Sequence, residues 1–473
     1  MRDRDFQMSF ADAELARQGV RLDPVLEQIL EFVLDNAGLV ETVRQQLNAG
    51  LRKPQTGRRG LTAEQTILSL ILMRVKNWDY RELAERIQDG YTLRQFTQFY
   101  AGRVPRHTAF NRAHNRLSPE TLRQINDAVV AATVEAGLED GDALRTDTTV
   151  VEADIHHPTD ASLLWDVVRT LDRTLQRLRK LMPHTLPRFS RHQRAARRRM
   201  QELQRMSPAQ RERQQVPTYR KLVGITEQVL AHARAAQEAP EKSPETASDP
   251  IAIGGLLATL RELCPLGDRV VAQARRRVLE GQDVPVAEKI FSIFEPHTDL
   301  IKRGKAGKPI EFGHKVFLAE SRHGLITQYQ VLDGNPVDET HVADSLQHHK
   351  TTFGMVPKLL ANDRGFYSTA NITLCEEAGV KCVSIPQRGG TKTEQRRVLE
   401  KSPDFKAGQR FRAGIEGTIS VLFRGRGMKR CLKEGRRGFE LLVGAAVLAN
   451  NLMRIAALLL AKKNKKKPRP KAA

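Results

Sequence analysis

Three acids stand where chemistry could be done: Asp147, Asp363 and Glu416. Asp147 sits in ALRTDTTVVEADIHHPTD, residues 143–160, among Ala143, Leu144, Val150 and Val151, a short apolar and β-branched strand pattern. An acid inside such a strand is costly to bury unless it is paired or holds a metal. Either the strand is half exposed and Asp147 faces water, or Asp147 is there for a cation. Asp363 ends the run LLAND, just before Arg364-Gly365-Phe366. Glu416 lies in RFRAGIEGTISVLFRGRG, which reads as a helix with Ile415, Ile419, Leu422 and Phe423 on its apolar side. In α/β folds ligands sit at the ends of sheet strands. If the strands of Asp147 and Asp363 are neighbours, their carboxylates converge and Glu416 closes the site from its helix. Three hard oxygen ligands suit Mg²⁺ or Mn²⁺. Two such ions roughly 3.5–4 Å apart serve an in-line phosphoryl displacement. Spacing alone leaves rivals. Asp333, Asp338 and Asp344 compete for the second position, and Glu394, Glu400, Glu434 and Glu440 for the third. Glu416 is preferred because Arg412 lies one turn before it and Arg424 two turns after, supplying cations where phosphates would approach.

The elements that would hold these acids change character along the chain. Residues 1–138 read as helices. Thr62 with Gln65 makes a capping-box pattern, Asp79 with Glu82 repeats the start signal, and Ser118-Pro119 puts Ser at N-cap and Pro at N1. Several short helices with Arg on an exposed face suit a helix-turn-helix-like DNA-binding unit, with Arg103, Arg106, His107 and Arg112 as its basic face. The plainer reading is a helical bundle. Residues 143–153 are the opening strand, followed by a polar turn in which Asp154, His156, His157 and Asp160 read as scaffolding. Residues 162–285 form a helical insertion, very basic around Arg197, Arg198 and Arg199, with a mobile linker at 237–250 poor in bulky apolar residues. From Glu288 the pattern alternates. KIFSIF is alternating and apolar; EFGHKVFLAES, GLITQYQVLDG, MVPKLLAND and VKCVSIP read as strands, and VDETHVADSLQHHKTTFG and STANITLCEEAG as helices. The stretch from Gln387 to Gln409 reads as a loop. The expected whole is multidomain: an all-α N-terminal DNA-binding region at 1–138, an α/β catalytic domain with a mixed sheet at 139–161 and 286–461, the basic insertion at 162–285, and a basic disordered tail at 462–473.

Composition sets the partners. The chain has 473 residues, too many for one compact core, and a net charge of +22. Residues 166–230 hold 16 Lys/Arg against 5 Asp/Glu, and the tail from Lys462 to Lys471 adds seven cations and no acid. Such a field attracts polyanions, nucleic acid first. The four cysteines, Cys264, Cys375, Cys382 and Cys431, form no CxxC pair and read as thiols of a reducing cytoplasm. The N-terminus has no apolar signal region. The late apolar run LLVGAAVLANNLMRIAALLLA is interrupted by Asn450, Asn451 and Arg454, which suits a buried helix better than a membrane span.

These blocks together resemble a known family. TDTTVVEADIHHPTD with SLLWD, LLANDRGFYS, and RAGIEGTISVLFRGRGMKRC resemble the first-Asp, second-Asp and Glu-helix blocks of bacterial insertion-sequence transposases of the DDE class, of the ISNCY type. LTAEQTILSLILMRVKNWDYRELAERI resembles their helical N-terminal domain. The resemblance covers most of residues 60–460, with 165–285 the least matched. It implies an RNase H-like core with Asp147, Asp363 and Glu416 as the metal-binding triad, loaded with Mg²⁺ or Mn²⁺, two ions in all. It implies an enzyme that binds terminal inverted repeats, cleaves strands at the element's ends and joins the freed 3′-hydroxyl to target DNA, working as a homodimer on double-stranded DNA in the cytoplasm, at the nucleoid, away from membranes. Arg412 and Glu416 fit the Tyr-Arg-Glu-Lys signature of related enzymes, whereas Gln409 takes the Tyr position and Phe423 the Lys position, with Arg424 beside it. Arg103, Arg106, Arg112, Arg197, Arg198, Arg199, Arg364, Arg412 and Arg424 are the expected DNA contacts. The alternatives are a metal-dependent nuclease of the same fold that cuts without joining, and a transposase-derived DNA-binding regulator without catalysis.

Overall fold

The computed structural model describes residues 17–52, 56, 60–183, 185–186, 189–242, 249–302 and 310–466. The N-terminal sixteen residues, the middle of the linker reading (243–248) and the tail beyond 466 lie outside them. The chain divides into two compact units, 1–152 with 314–473, and 153–313.

Among the described residues the first unit contributes, ahead of its sheet, α1 (Pro24–Asp35), α2 (Ala37–Asn48), α3 (Ala63–Lys76), α4 (Tyr80–Asp89), α5 (Tyr91–Phe96), α6 (His107–Arg116) and α7 (Pro119–Glu135). Their starts are written in the sequence. Thr62 and Gln65 exchange the two hydrogen bonds of a capping box, Asp79 accepts from the amides of Arg81 and Glu82, and Ser118 accepts from Thr121 with Pro119 behind it. Strand β1 (Ala143–Ala153) then enters the sheet. After the second unit come β3 (Ile310–Ser321), β4 (Ile326–Val331), α12 (Val342–Phe353), β5 (Leu359–Ala361), α13 (Thr369–Glu377), β6 (Cys382–Ser384), α14 (Glu394–Lys401), α15 (Pro403–Gly425), β7 (Arg430–Cys431) and α16 (Gly435–Lys466). Strand order runs β3-β1-β5-β6, with β4 on β3 and β7 on β1. The pairs β1–β5 and β5–β6 are parallel and β3–β4 is antiparallel, so the sheet is mixed.

The N-terminal helices are not set apart at residue 138. Leu26, Ile29, Ile67, Leu68, Leu72 and Leu122 bury into one cluster with Leu325 of the β3–β4 turn and Leu441, Leu448, Leu452 and Ile455 of α16. The apolar run of α16 is thus a core helix: Asn451, fully buried, holds the Ile326 amide and the Asn126 side chain. Among the described residues it is the one helix long and apolar enough to cross a membrane, and most of that stretch is buried here.

The second unit is helical: α8 (Asp160–Leu181), α9 (Gln193–Arg205), α10 (Pro208–Lys242) and α11 (Pro250–Ala274), followed by a π-turn at Arg275–Leu279. The stripe Leu163, Leu164, Val167, Val168, Leu171, Leu175 and Leu178 is buried in its core. Buried Asp172 accepts from the amides of His192 and Gln193 and so starts α9. The short strand β2 (Asp299–Lys302) pairs antiparallel with residues 310–313 of β3.

Three sequence expectations change here, and one alternating pattern takes another form. Residues 237–242, read as linker, continue α10, because Gln237, Glu238 and Ala239 are helix formers extending an established helix. Residues 462–466, read as tail, are still α16. KIFSIF is not a strand: the Ile290 amide donates to the Gln273 side chain, and the amides of Phe294 and Glu295 to Ser292 Oγ, so side chains replace a ladder. The loop read at 387–409 contains α14 and the first two turns of α15, each started by a capping hydroxyl, Thr393 and Ser402.

Candidate functional site

Parallel pairing of β1 and β5 puts two of the acids level. The register runs Ala143↔Leu359 to Arg145↔Ala361, and two residues beyond its last pair stand Asp147 and Asp363. Neighbouring strands lie about 4.8 Å apart, so the two carboxylates leave the sheet side by side. Asp363 uses one oxygen to accept from the Gly365 amide at 2.7 Å, closing the turn after β5. Its other oxygen faces the site.

Helix α15 supplies the third acid, and its seating is specified by contacts to the strand ends. Gln409 Nε2 donates to the carbonyls of Asn362 (3.2 Å) and Ser384 (2.6 Å), and Arg145 Nη1 donates to Phe411 O at 2.5 Å. Arg145 is itself held by buried Glu320 of β3 at 2.7 Å, and Thr418 of α15 donates to the same carboxylate at 2.9 Å. The helix comes this close because it carries glycine at the contacts. A Cβ on Gly408 would stand 2.5 Å from Ser384 Cβ, and one on Gly414 would overlap the Arg145 guanidinium. Gly408→Ala is therefore expected to destabilise the chain by about 1–3 kcal/mol through overpacking, outweighing the roughly 1 kcal/mol gained in helix propensity. Chemical denaturation reads this directly. A neutral Gly408→Ala would mean that α15 is not held at this spacing.

So seated, α15 aims Arg412 and Glu416 at the strand ends. One guanidinium meets all three acids: Arg412 Nη2 lies 3.2 Å from Asp147 Oδ2 and 3.6 Å from Asp363 Oδ2, and Nη1 lies 3.0 Å from Glu416 Oε1. Among the described residues no other cation pairs with any of the three. The site opens to solvent in one direction: side-chain exposure rises from 14% at Asp147 to 36% at Asp363 and 66% at Glu416. Burial pushes the Asp147 carboxyl up to about 6; Arg412 and the Thr148 amide (2.7 Å) pull it down, and the charges of Asp363 and Asp338 push it further up. Asp147 thus has a cation beside it and is still held above the usual carboxylate range, first by burial and then by its acidic neighbours. All-oxygen carboxylate donors of this kind fit a hard divalent ion, and the like-charge crowding is what such an ion relieves.

Asp338, one of the rivals for the second position, stands behind the site. Its carboxylate takes Lys315 Nζ at 2.7 Å and Thr148 Oγ1 at 2.9 Å, and a Cβ on Gly365 would meet it at 2.9 Å. Asn362 fixes the same corner, its side-chain oxygen accepting from the Thr146 amide at 3.1 Å. Sequence reasoning passed over Lys315, Thr148 and Asn362. Asn362, adjacent to Asp363 in a strand end, was the one with a visible signal.

The other candidates lie elsewhere. Asp333 is exposed and pairs with Arg436; Glu400 pairs with Lys392 and Arg396, Glu394 with Arg397, and Glu440 with Arg436. His156 pairs with Asp166, His157 packs edge-on against Phe312, and Asp160 binds Arg277 and Gln273. Arg103, Arg106, Arg112, Arg364 and Arg424 are exposed in the first unit. In the second unit Arg197 and Arg198 are exposed and Arg199 is held by Glu202 at 2.8 Å. One compact group of ligand-type atoms does occur among the described residues, at Glu139, Asp140 and His323. There Glu139 is consumed by structure, accepting from the amides of Asp140, Gly141 and His323 and from Ser321 Oγ.

No curated protein and no solved structure matches the chain. Residues 273–452, which include Asp363, Arg412 and Glu416 but not Asp147, match the family model described as the transposase DDE domain. Over those residues the chain is similar to the transposase DDE domain.

Proposed function

We propose that the chain is an active transposase of the ISNCY type with an RNase H-like catalytic domain, using Asp147, Asp363 and Glu416 to cleave and join DNA at the ends of its element. The observation that carries this reading is the meeting of the three carboxylates around Arg412. Mg²⁺ or Mn²⁺ ions bound by these carboxylates would activate the attacking oxygen and offset the charge on the leaving oxygen. The protein's part is placement. The sheet fixes Asp147 and Asp363 side by side, and Glu416 closes the open side from α15. Water attacks the phosphodiester first, releasing a 3′-hydroxyl; that hydroxyl then attacks a target phosphodiester, and a target 3′-hydroxyl leaves. Two ends must react together, which calls for a homodimer on double-stranded DNA. The arginines exposed in the first unit and those of the basic insertion supply phosphate contacts, whose strength falls steeply with salt.

Asp363→Asn and Glu416→Gln are the test. Each is expected to lower Mg²⁺- or Mn²⁺-dependent nicking of a transposon-end duplex by more than the ~10–100-fold typical of losing an outer-sphere partner. Duplex binding with the metal chelated is expected to stay within about twofold, since neither residue is the main phosphate contact. Wild-type chain that binds the ends but never nicks them with either metal would overturn the catalytic reading. Cleavage without joined product would convert it to a nuclease.

A further inference from the structure

Arg322 at the β3–β4 turn and Arg454 on α16 face a groove of 460 Å³ that the acids do not use. This volume falls within the roughly 300–1,000 Å³ of ligand-sized sites. It is lined by Gly414, Gly417, Thr418 and Val421 of α15, by Asn450, Met453 and Ala457 of α16, and by the Arg145–Glu320 pair, whose guanidinium lies over Gly414. That pair is neutral, with its atoms 2.7 Å apart. Arg322 and Arg454 have no carboxylate within ion-pair distance among the described residues. Arg454 Nε donates to the His323 carbonyl at 2.5 Å, and Asp140, which feels Arg322, is itself paired with His323 at 3.7 Å. The groove therefore presents two cations without carboxylate partners above a helix surface opened by two glycines, and this charge suits a phosphate backbone.

Its place on α15 says which backbone. Arg412 and Glu416 occupy one edge of the exposed face of the helix; Gly414, Thr418 and Val421 line the groove at the other edge. At 100° per residue, Glu416 and the groove residues lie about 140–160° apart around a helix about 10–12 Å across. Exposed Ala413, Gly417 and Arg424 form the strip between. The DNA major groove is about 12 Å wide and admits a helix with a phosphate backbone on either side. We propose that α15 presents this strip to duplex DNA, with the acids at the backbone of one strand and the Arg322–Arg454 groove holding phosphates of the opposite strand. The inference rests on the transposase reading and adds to it a site on the non-reacting strand.

The test uses the full chain, with Ca²⁺ in place of Mg²⁺, and measures binding of a transposon-end duplex and of the reacting strand alone across a salt series. Two variants are compared: Arg322→Glu with Arg454→Glu, and Gly417→Glu alone. The second adds a carboxylate at a position where a Cβ meets nothing and removes no contact, so folding is not at issue. Both are expected to weaken duplex binding about tenfold or more, and the double variant to flatten the log K against log[salt] slope by about 2, one counterion per lost phosphate contact. Binding of the single strand is expected to change less than twofold. Unchanged duplex affinity in both variants overturns the inference while leaving the transposase reading in place. Equal losses on duplex and single strand overturn the assignment to the opposite strand. Wild-type chain that binds no duplex overturns both.

Discussion

Asp147→Asn is expected to abolish cleavage and, in the same molecule, to stabilise the metal-free chain at neutral pH. The carboxyl sits at about 6 in the folded chain, against about 3.9 in an unfolded one, chiefly because burial disfavours its charge. Between these values the folded state binds more protons than the unfolded state. Stability contributed here is therefore present below about pH 4 and lost as pH rises toward about 6. Two units correspond to about 3 kcal/mol, a figure that already contains the pull of Arg412, so a gain of up to about 3 kcal/mol is expected for the Asn variant above pH 6. Denaturation in chelator across pH 4–8 gives two curves that converge at the acid end, diverge between about pH 4 and 6, and keep a constant gap above. Adding Mg²⁺ reverses the order, since only the wild type gains the linkage term from a bound ion. Parallel curves would mean that Asp147 is solvated and carries no such strain.

The same strand shows what a sequence can and cannot disclose. Its limits, 143–153, were readable because apolar and β-branched residues, broken only by Arg145, Asp147 and Glu152, run between turn formers. The capping box at Thr62, the N-cap at Ser368 and the tight turn at Arg322-His323-Gly324 were readable for the same reason: each is decided within a few residues. What escaped depends on partners far along the chain. KIFSIF alternates as a strand does, but its amides are taken by Gln273 and Ser292. The N-terminal helices looked self-contained because nothing in them announces that α16, three hundred residues later, completes their core. At the site, the three acids could be named from their blocks, and the register of β1 on β5 sets two of them level. That a single guanidinium would touch all three was not legible, since it requires α15 to sit against the strand ends at the spacing Gly408 and Gly414 permit. Asp338 could be named as a rival but not placed, because its partners Lys315 and Thr148 lie on two other strands.

Arg412→Gln separates a shared counter-charge from an ordinary helix pair. Arg86 and Glu82 show the ordinary case, an exposed i,i+4 pair at 3.6 Å, and breaking it is worth about 0.3–0.5 kcal/mol. Arg412 is only 18% exposed and its removal leaves Asp147 and Asp363 facing each other with no cation. Breaking a buried pair costs about 3–5 kcal/mol. Because Glu416 is largely exposed and screened, a loss of about 2–4 kcal/mol in metal-free stability is the expected result. A divalent ion can then do for the variant what the guanidinium does for the wild type. The Mg²⁺-induced rise in melting temperature is expected to be larger in Arg412→Gln than in wild type, although the variant starts lower. Arg412→Lys is expected to recover only part of the loss, because one ammonium cannot span acids that two separate guanidinium nitrogens reach. Equal Mg²⁺ shifts in wild type and variant would show that cation and ion do not answer the same charge. In that case Arg412 would be a DNA contact that merely rests among the acids when no DNA is bound.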